Sequence, residues 1–397
     1  MDSASVAQGI AQASFGDAVA VGGATATPVR ARNLRAVDLF AGAGGLSLAA
    51  RLCGIQVLAA VEMDRHACAT YRKNLIDTLP ALALRPALYE RDVREEGTPE
   101  RLRDAHFTEH RPCDLILGGP PCQGFSVHRF KDLGVGDPRN ELVLRYFDFV
   151  KCLRPKVFLL ENVPGLLWPR HRPMLDSLLA EARAAGYRVC GNGPIPLDAR
   201  DYGVPQRRKR VFILGVRVDV HFDDSRWPPA ATHGNEAAWC RSPHLLPWEP
   251  ARAAFDPAPK GDQNDRHMNH SAALTERFEA TPQNGGSRGD VRDLPPLPCH
   301  LDYDGHSDVY GRIDPDQPAP TMTTACINPS KGRFVHPTEP HGITIRQAAR
   351  LQTFPDHFVF KGGLMAAGVQ IGNAVPVKLG ERLLGAVLRG LGVAPAC

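Results

Sequence analysis

No two of the ten cysteines form a Cys-x-x-Cys pair, so the sequence offers neither a zinc site nor a dithiol redox motif. Scattered thiols of this kind suit a reducing compartment rather than a disulfide framework, and no metal is expected. No run of 18 apolar residues occurs, which excludes a membrane-spanning helix from the expectation. The first residues, Met1-Asp-Ser-Ala-Ser, carry neither the basic region nor the apolar core of a secretory signal. Lysine is scarce, with 9 Lys against 38 Arg. Arginine favours bidentate contacts to phosphates and base edges. GC-rich coding gives the same bias, however, and a net charge of only +4 is weak ground for a nucleic-acid partner. There is no internal repeat.

What is present is an apolar fraction of 43% in 397 residues, ample for a core and for two or three domains. Residues 1–33, rich in Ala, Gly, Ser and Thr, have little to bury and are expected to form a flexible tail. Strand and helix then alternate. Arg35–Phe40 reads as a strand, running into Ala41-Gly-Ala-Gly-Gly45, with helical Leu46–Leu52 behind it. Strand, glycine turn and helix open a nucleotide-type βαβ unit, although the turn alone equally fits a plain tight turn. The strand Gln56–Val61 ends in Glu62, 20 residues beyond Gly42, where an acid can accept hydrogen bonds from ribose hydroxyls. A third strand, Leu88–Arg91, leads to Asp92, placed to receive an adenine amine. Asp38, Glu62 and Asp92 would then stand at successive strand ends.

The stretch Leu115-Ile-Leu-Gly-Gly-Pro-Pro-Cys122 organises the rest. Its apolar start is a buried strand, and two prolines fix the turn that follows. A lone Cys is most often a small buried hydrophobe; the Gly-Gly-Pro-Pro frame argues instead for an aimed thiol at the ligand-binding edge of a sheet. Residues 127–140 form a polar loop long enough for a lid, with Arg129 and Lys131 able to touch phosphates. A helix over 140–153 precedes the strand Lys156–Leu160, which delivers Glu161-Asn-Val163 to the same edge. A carboxylate after four apolar residues is partly desolvated, raising its pKa and suiting a group that holds a proton near neutrality; a structural or capping Glu is the plain alternative. A helix over 172–185 and a strand over 188–190 follow. Gln206-Arg-Arg-Lys-Arg210 then enters the strand Val211–Gly215, and alternation aims Arg208 and Arg210 one way, Arg207 and Lys209 the other. The simplest reading of these four cations is a solvated phosphate patch. From 217 to 340 the rhythm stops, which indicates a second, irregular, strand-containing domain. Arg312, Lys331, Arg333 and His336 are its candidates for backbone contacts. A helix over 344–352 is stopped at Phe354-Pro355, and Gln370–Pro376 precedes a helix over Val377–Gly390.

Six stretches together resemble the cytosine carbon-5 DNA methyltransferases of bacterial restriction-modification type: Asp38-Leu-Phe-Ala-Gly-Ala-Gly-Gly45, Gly119-Pro-Pro-Cys-Gln-Gly-Phe-Ser126, Glu161-Asn-Val163, Gln206-x-Arg-x-Arg210, Arg350-Leu-Gln-Thr-Phe-Pro355 and Gly372-Asn-Ala-Val-Pro376. They occur in the family's order, with its long variable region between the fourth and fifth, and the resemblance covers roughly 34–217 and 308–390. Gln347 stands where the family usually has Glu, which puts a packing or salt-bridge detail of that helix in question rather than the chemistry.

The resemblance implies an α/β protein. A flexible tail (1–33) precedes a Rossmann-like S-adenosylmethionine-dependent large domain (34–216). A smaller, irregular, strand-containing target-recognition domain (217–365) follows, and a C-terminal segment (366–397) rejoins the large one. It implies S-adenosyl-L-methionine held by Phe40, Ala41, Gly42, Gly44 and Gly45, with Glu62 on the ribose, Asp92 on the adenine amine, Pro120 beside the methyl donor, and Asn373 and Val375 closing the pocket. Cys122 would add to the base, Glu161 would bond its ring nitrogen 3 and amine, and Arg210 its carbonyl oxygen, with Arg208 supporting the loop or a phosphate. The target cytosine would be flipped out of double-stranded DNA, with Gln123 and Ser126 bracing the gap and Arg129, Lys131 and Gln206 also on the DNA. A separately acting restriction endonuclease, a monomeric state and a bacterial cytoplasm, nucleoid-associated on DNA, complete the expectation. A tRNA cytosine methyltransferase on the same scaffold is the alternative, but its loop usually carries Pro-Phe-Thr where this chain has Gly124-Phe-Ser126. A non-catalytic relative would be expected to lose Cys122, Glu161 or the arginines. A nicotinamide oxidoreductase would explain the glycine turn and nothing else.

Overall fold

Five strands run parallel at the centre of the computed structural model, which describes residues 34–79, 85–121, 141–295 and 308–395. They are β1 (Arg35–Leu39), β2 (Gln56–Glu62), β3 (Ala87–Glu90), β4 (Leu115–Gly118) and β5 (Val157–Asn162), ordered β3-β2-β1-β4-β5. Three more, β6 (Tyr187–Val189), β7 (Ile195–Asp198) and β8 (Lys209–Arg217), complete the sheet antiparallel: β8 lies beside β5, and both β6 and β7 pair with β8. The connecting helices are α1 (Gly45–Leu52), α2 (Arg65–Tyr71), α3 (Thr98–His106), α4 (Glu141–Leu153) and α5 (Arg172–Ala184).

Alternation along the strands feeds two cores. Ala36, Leu115, Leu117, Val157, Leu159, Phe212 and Leu214 face α1, α2 and the C-terminal helix. Val37, Ile116, Phe158, Leu160, Val211 and Ile213 face α3, α4 and α5. A sheet covered on both faces needs strands that are apolar throughout, which is why β4 and β5 read as unbroken apolar runs. The β5 ladder continues through Glu161, opposite Phe212, to Asn162, opposite Val211. Glu161 therefore belongs to the strand, whereas the sequence places it just beyond; the antiparallel partner prolongs the pairing. Strand order reverses between β1 and β4, and that opens a crevice at their carboxyl ends. The glycine turn and Gly118-Gly119-Pro120 both lie there.

Beyond residue 217 the regular elements are β9 (His233–Gly234), β10 (Leu246–Pro247), α6 (Glu236–Arg241), α7 (Ala272–Ala280), α8 (Ile345–Leu351), α9 (Leu364–Asn373) and α10 (Val377–Gly390). Strand there is confined, among the described residues, to the two-residue pair β9 and β10. Buried side chains replace the missing ladders. The Asn264 amide bonds both Phe360 N (2.8 Å) and Phe360 O (3.0 Å), and Asn74 does the same for Val359. Arg346 and Asp262 form a buried ion pair. At the start of α8, Thr344 Oγ1 accepts from Gln347 N while Gln347 Oε1 accepts from Thr344 N. This capping box is served equally by Gln and Glu, so the departure at 347 is accommodated. α10 packs on α1 so closely that a Cβ on Gly380 would stand 2.7 Å from Ala49 Cβ. No helix among the described residues is long and apolar enough to cross a membrane.

Candidate active site

Phe40 (φ 56°) and Gly42 (φ 55°) turn the chain out of β1 in left-handed conformation. Gly42 N donates to Glu62 Oε2 at 2.8 Å, and Met63 N and Asp64 N donate to Oε1 at 2.7 Å each. The tip of β2 is thereby fixed to the turn after β1, with lone pairs left on the carboxylate for further donors. A Cβ on Gly42 would meet nothing within 4 Å, so this side of the turn is open. A Cβ on Gly45 would lie 2.8 Å from Val375 O, because the segment after α9 rests on the turn. Gly44 caps α1; Ala41, Pro120 and Val375 are buried, Phe40 leans on the α4-side core, and Asn373 is exposed. An open glycine cradle beside an anchored carboxylate fits the adenosyl and methionine parts of S-adenosylmethionine.

Two of the expected acids behave differently. Asp92 is held by Arg94, whose Nη2 lies 2.6 Å from Oδ2, and this pairing lowers the carboxyl pKa. Asp38 does not reach the crevice. It lies one residue before the strand end and points under α1, where it is 1% exposed and accepts from Ser47 Oγ at 2.6 Å. Burial pushes its pKa up to about 7.

Glu161 and Arg210 form the polar centre. Arg210 Nε stands 3.0 Å from Glu161 Oε1, and both side chains are largely buried. Burial raises the Glu161 carboxyl pKa, opposed by Arg210 and then Arg208. A Cβ on Gly119 would be 2.9 Å from Glu161 Oε2, so the loop leaving β4 lies directly on this carboxylate. Cys122, Gln123, Ser126, Arg129 and Lys131 fall outside the described residues.

Three expectations are corrected. Gln206 is fully buried: its amide donates to Leu351 O and Gln352 Oε1 and accepts from Met322 N, so it ties three segments together and has no face for DNA. Arg208 is 1% exposed and donates to Met322 O, Gly372 O and Ala374 O, which makes it a positioning residue for the C-terminal segment rather than a group that meets a base or phosphate. Arg312 and His336 are also buried, and Arg312 donates to the carbonyls of Phe278, Thr281, His336 and Glu339.

A cleft of about 490 Å³ opens beside Arg210, lined also by Arg200, Arg207, Lys209 and Thr321. Arg200 lies 4.1 Å above the Trp248 ring and bonds Asp198 at 2.8 Å, while Trp248 Nε1 donates to Asp201. Arg200, Trp248 and Thr321 went unnoticed in the sequence because their proximity is made by folding. Trp248 stands 47 residues from Asp201, and no local pattern joins them.

The chain matches the family model described as C-5 cytosine-specific DNA methylase over residues 34–389. It is 31% identical to the type II methyltransferase M1.HphI of Haemophilus parahaemolyticus, covering 90% of this chain and 87% of that one. It is 33% identical to M.NgoFVII of Neisseria gonorrhoeae, covering 86% and 82%. Among solved structures, a prophage-encoded E. coli protein assigned to the DNA modification methyltransferases superposes with a TM-score of 0.65 at 25% identity, covering 90% of this chain and 99% of that one. Dnmt2 of S. pombe, at 16% identity, 90% and 99% coverage and a TM-score of 0.57, shares the fold. With a glycine cradle, a buried Glu–Arg pair and a family match over nearly its whole length, the chain belongs to the C-5 cytosine-specific DNA methylases.

Proposed function

We propose that the chain methylates carbon 5 of a cytosine flipped out of double-stranded DNA within one short sequence, and that it protects host DNA from a separately acting restriction endonuclease. The observation that carries the chemistry is the buried Glu161–Arg210 pair beneath the loop leaving β4. In this reading Cys122 is the nucleophile. It follows Gly119 by three residues, a reach of about 11 Å, and Gly119 touches Glu161. The thiolate adds to carbon 6 of the base. As electrons enter the ring, Glu161 helps place a proton on ring nitrogen 3 and bonds the exocyclic amine, while Arg210 bonds the carbonyl oxygen. Carbon 5 becomes enamine-like and nucleophilic. S-adenosylmethionine, held by Phe40, Ala41, Gly42, Gly44, Gly45, Glu62, Asp92, Pro120, Asn373 and Val375, supplies an electrophilic methyl group. Loss of the carbon-5 proton to a base re-forms the ring double bond and expels the thiolate of Cys122.

Residues 34–216 and 366–397 form the catalytic unit in this reading, and 217–365 the unit that reads DNA. The duplex lies over the cleft of Arg200, Arg207, Lys209 and Arg210, with Gln123 and Ser126 filling the gap left by the flipped base and Arg129 and Lys131 on phosphates. The enzyme works as a monomer in a bacterial cytoplasm, on the nucleoid when bound. The test is methylation-sensitive sequencing of DNA from a methylation-free bacterial host expressing the chain, beside a Cys122→Ala control. 5-Methylcytosine at one short motif, present only with the intact cysteine, is expected. A chain that binds S-adenosylmethionine yet leaves DNA unmarked would overturn the reading.

A further inference from the structure

Four histidines from two separate segments meet in the irregular region. His267 and His341 stack face to face, with ring centroids 3.9 Å apart and planes 4° from parallel. His270 extends the stack on one side at 6.3 Å, and His336 packs on His341 at 5.3 Å. Phe278 closes the cluster against His270 and Phe255 against His336, each edge-on at 5.1 Å.

The hydrogen bonds of His270 and His336 require neutral rings. His270 Nε2 accepts from Gly342 N at 3.1 Å. His336 Nδ1 accepts from Glu339 N at 3.0 Å and from Thr338 N at 3.2 Å. A proton on either nitrogen would remove the acceptor and set donor against donor. His267 Nδ1 pairs with Met268 O and His341 Nδ1 with Gly342 O. The charged groups facing the stack are Arg312, whose buried guanidinium lies beside His336, and Glu339 and Asp265, which face His341. Two acids opposite four rings and a guanidinium cannot neutralise a protonated stack.

We propose that His270, His336 and His341, packed about the His267 ring, form an acid-sensitive clasp, which holds segments 264–281 and 333–343 together while these three rings are neutral and lets them part when they take up protons. The latter segment runs directly into α8, whose capping box begins at Thr344. Burial lowers the pKa of His270, His336 and His341, that of His336 to about 4. A histidine whose folded pKa is depressed contributes stability above its free value of about 6.5 and loses it as pH falls towards the folded value. Each such ring favours opening by up to about tenfold per pH unit in that window. That the parted segments belong to the DNA-reading unit rests on the domain assignment proposed above.

The test is hydrogen exchange by mass spectrometry on the full chain at pH 7.5 and 5.5, corrected for the intrinsic pH dependence of exchange. Wild type is compared with His270→Gln/His336→Asn, in which amide oxygens replace the two accepting nitrogens without titrating. In wild type, protection of 264–281 and 333–343 is expected to fall by about tenfold or more, with no loss of protection in β1, β4 and β5. The double variant is expected to lose at least tenfold less. Should it already be unprotected at pH 7.5, His336→Asn alone is compared and an intermediate loss is expected. Equal losses in wild type and variant, or no loss in wild type, would overturn the clasp. DNA affinity is measured at both pH values in parallel. Opening without a change in that affinity would support the clasp and refute the assignment of these segments to DNA reading.

Discussion

Asp38 and Glu161 are buried carboxyls on the same face of one sheet, and they differ in what answers their charge. Glu161 has Arg210 at 3.0 Å, whereas Asp38 is met by the hydroxyl and backbone of Ser47 and, among the described residues, pairs with no cation. The first can hold charge or proton as a reaction demands; the second is a stability liability. Replacing Glu161 by Gln keeps a hydrogen-bonding group of the same shape but removes the proton-holding function. Methyl transfer from radiolabelled donor should fall by about 10²–10⁴-fold, with DNA retention in a gel assay preserved; transfer within threefold of wild type would exclude Glu161 from the chemistry. For Asp38 the sign is the reverse of an ion-paired acid. Its folded pKa of about 7 lies above the free value, so its contribution is present below about pH 4 and is lost as pH rises towards 7. Asp38→Asn should therefore flatten the decline in urea-unfolding stability between pH 5.5 and 7.5, which in wild type should approach about 1.4 kcal/mol per pH unit from this group. Parallel slopes would show that Asp38 does not titrate in this window.

At the scale of elements, the strand entering at Lys209 does two jobs with one alternation. Arg210 turns to Glu161, Arg208 to the carbonyls of Met322, Gly372 and Ala374, and Arg207 and Lys209 outwards. The sequence made this alternation legible, along with the parallel strands, whose apolar runs and glycine punctuation are local signals. It did not reveal that Arg208 and Gln206 are buried ties, because their partners lie 114 to 166 residues away. Four basic residues in five read as solvated until the segments that cover one of them are known. The same long-range closure governs the cofactor cradle, since Val375 O sits where a Cβ on Gly45 would go. Gly45→Ala should displace the segment after α9 and weaken S-adenosylmethionine binding by at least about tenfold, about 1.4 kcal/mol, in titration calorimetry. DNA affinity without cofactor should be unchanged. Arg208→Met would remove this donor from Met322 O and Gly372 O, each loss costing about 1–3 kcal/mol, while Ala374 O keeps Gln352 Nε2, and should lower the melting temperature and cofactor affinity together.

For the whole molecule, the modest net charge of +4 conceals a local field. Arg200, Arg207, Lys209 and Arg210 share one cleft, while Asp198 and Glu161 answer only Arg200 and Arg210. Arg207 and Lys209 carry the outward charge, and Trp248 holds Arg200 beside them without neutralising it. If this cleft takes the DNA backbone, each phosphate it neutralises releases counterions, and log affinity falls with log salt by about 0.9 per contact. Arg207→Ala/Lys209→Ala should then weaken binding to specific and unrelated duplexes alike and reduce that slope by about 1.8. Lys209 meets the Glu161–Arg210 pair only through its backbone carbonyl, which accepts from Arg210 Nη1 and is kept in the variant, so turnover at saturating DNA should stay close to wild type while the KM for DNA rises. An unchanged salt slope would place the DNA elsewhere on the molecule. A fall in turnover with KM intact would instead mean that the two cations act on the base rather than on its backbone.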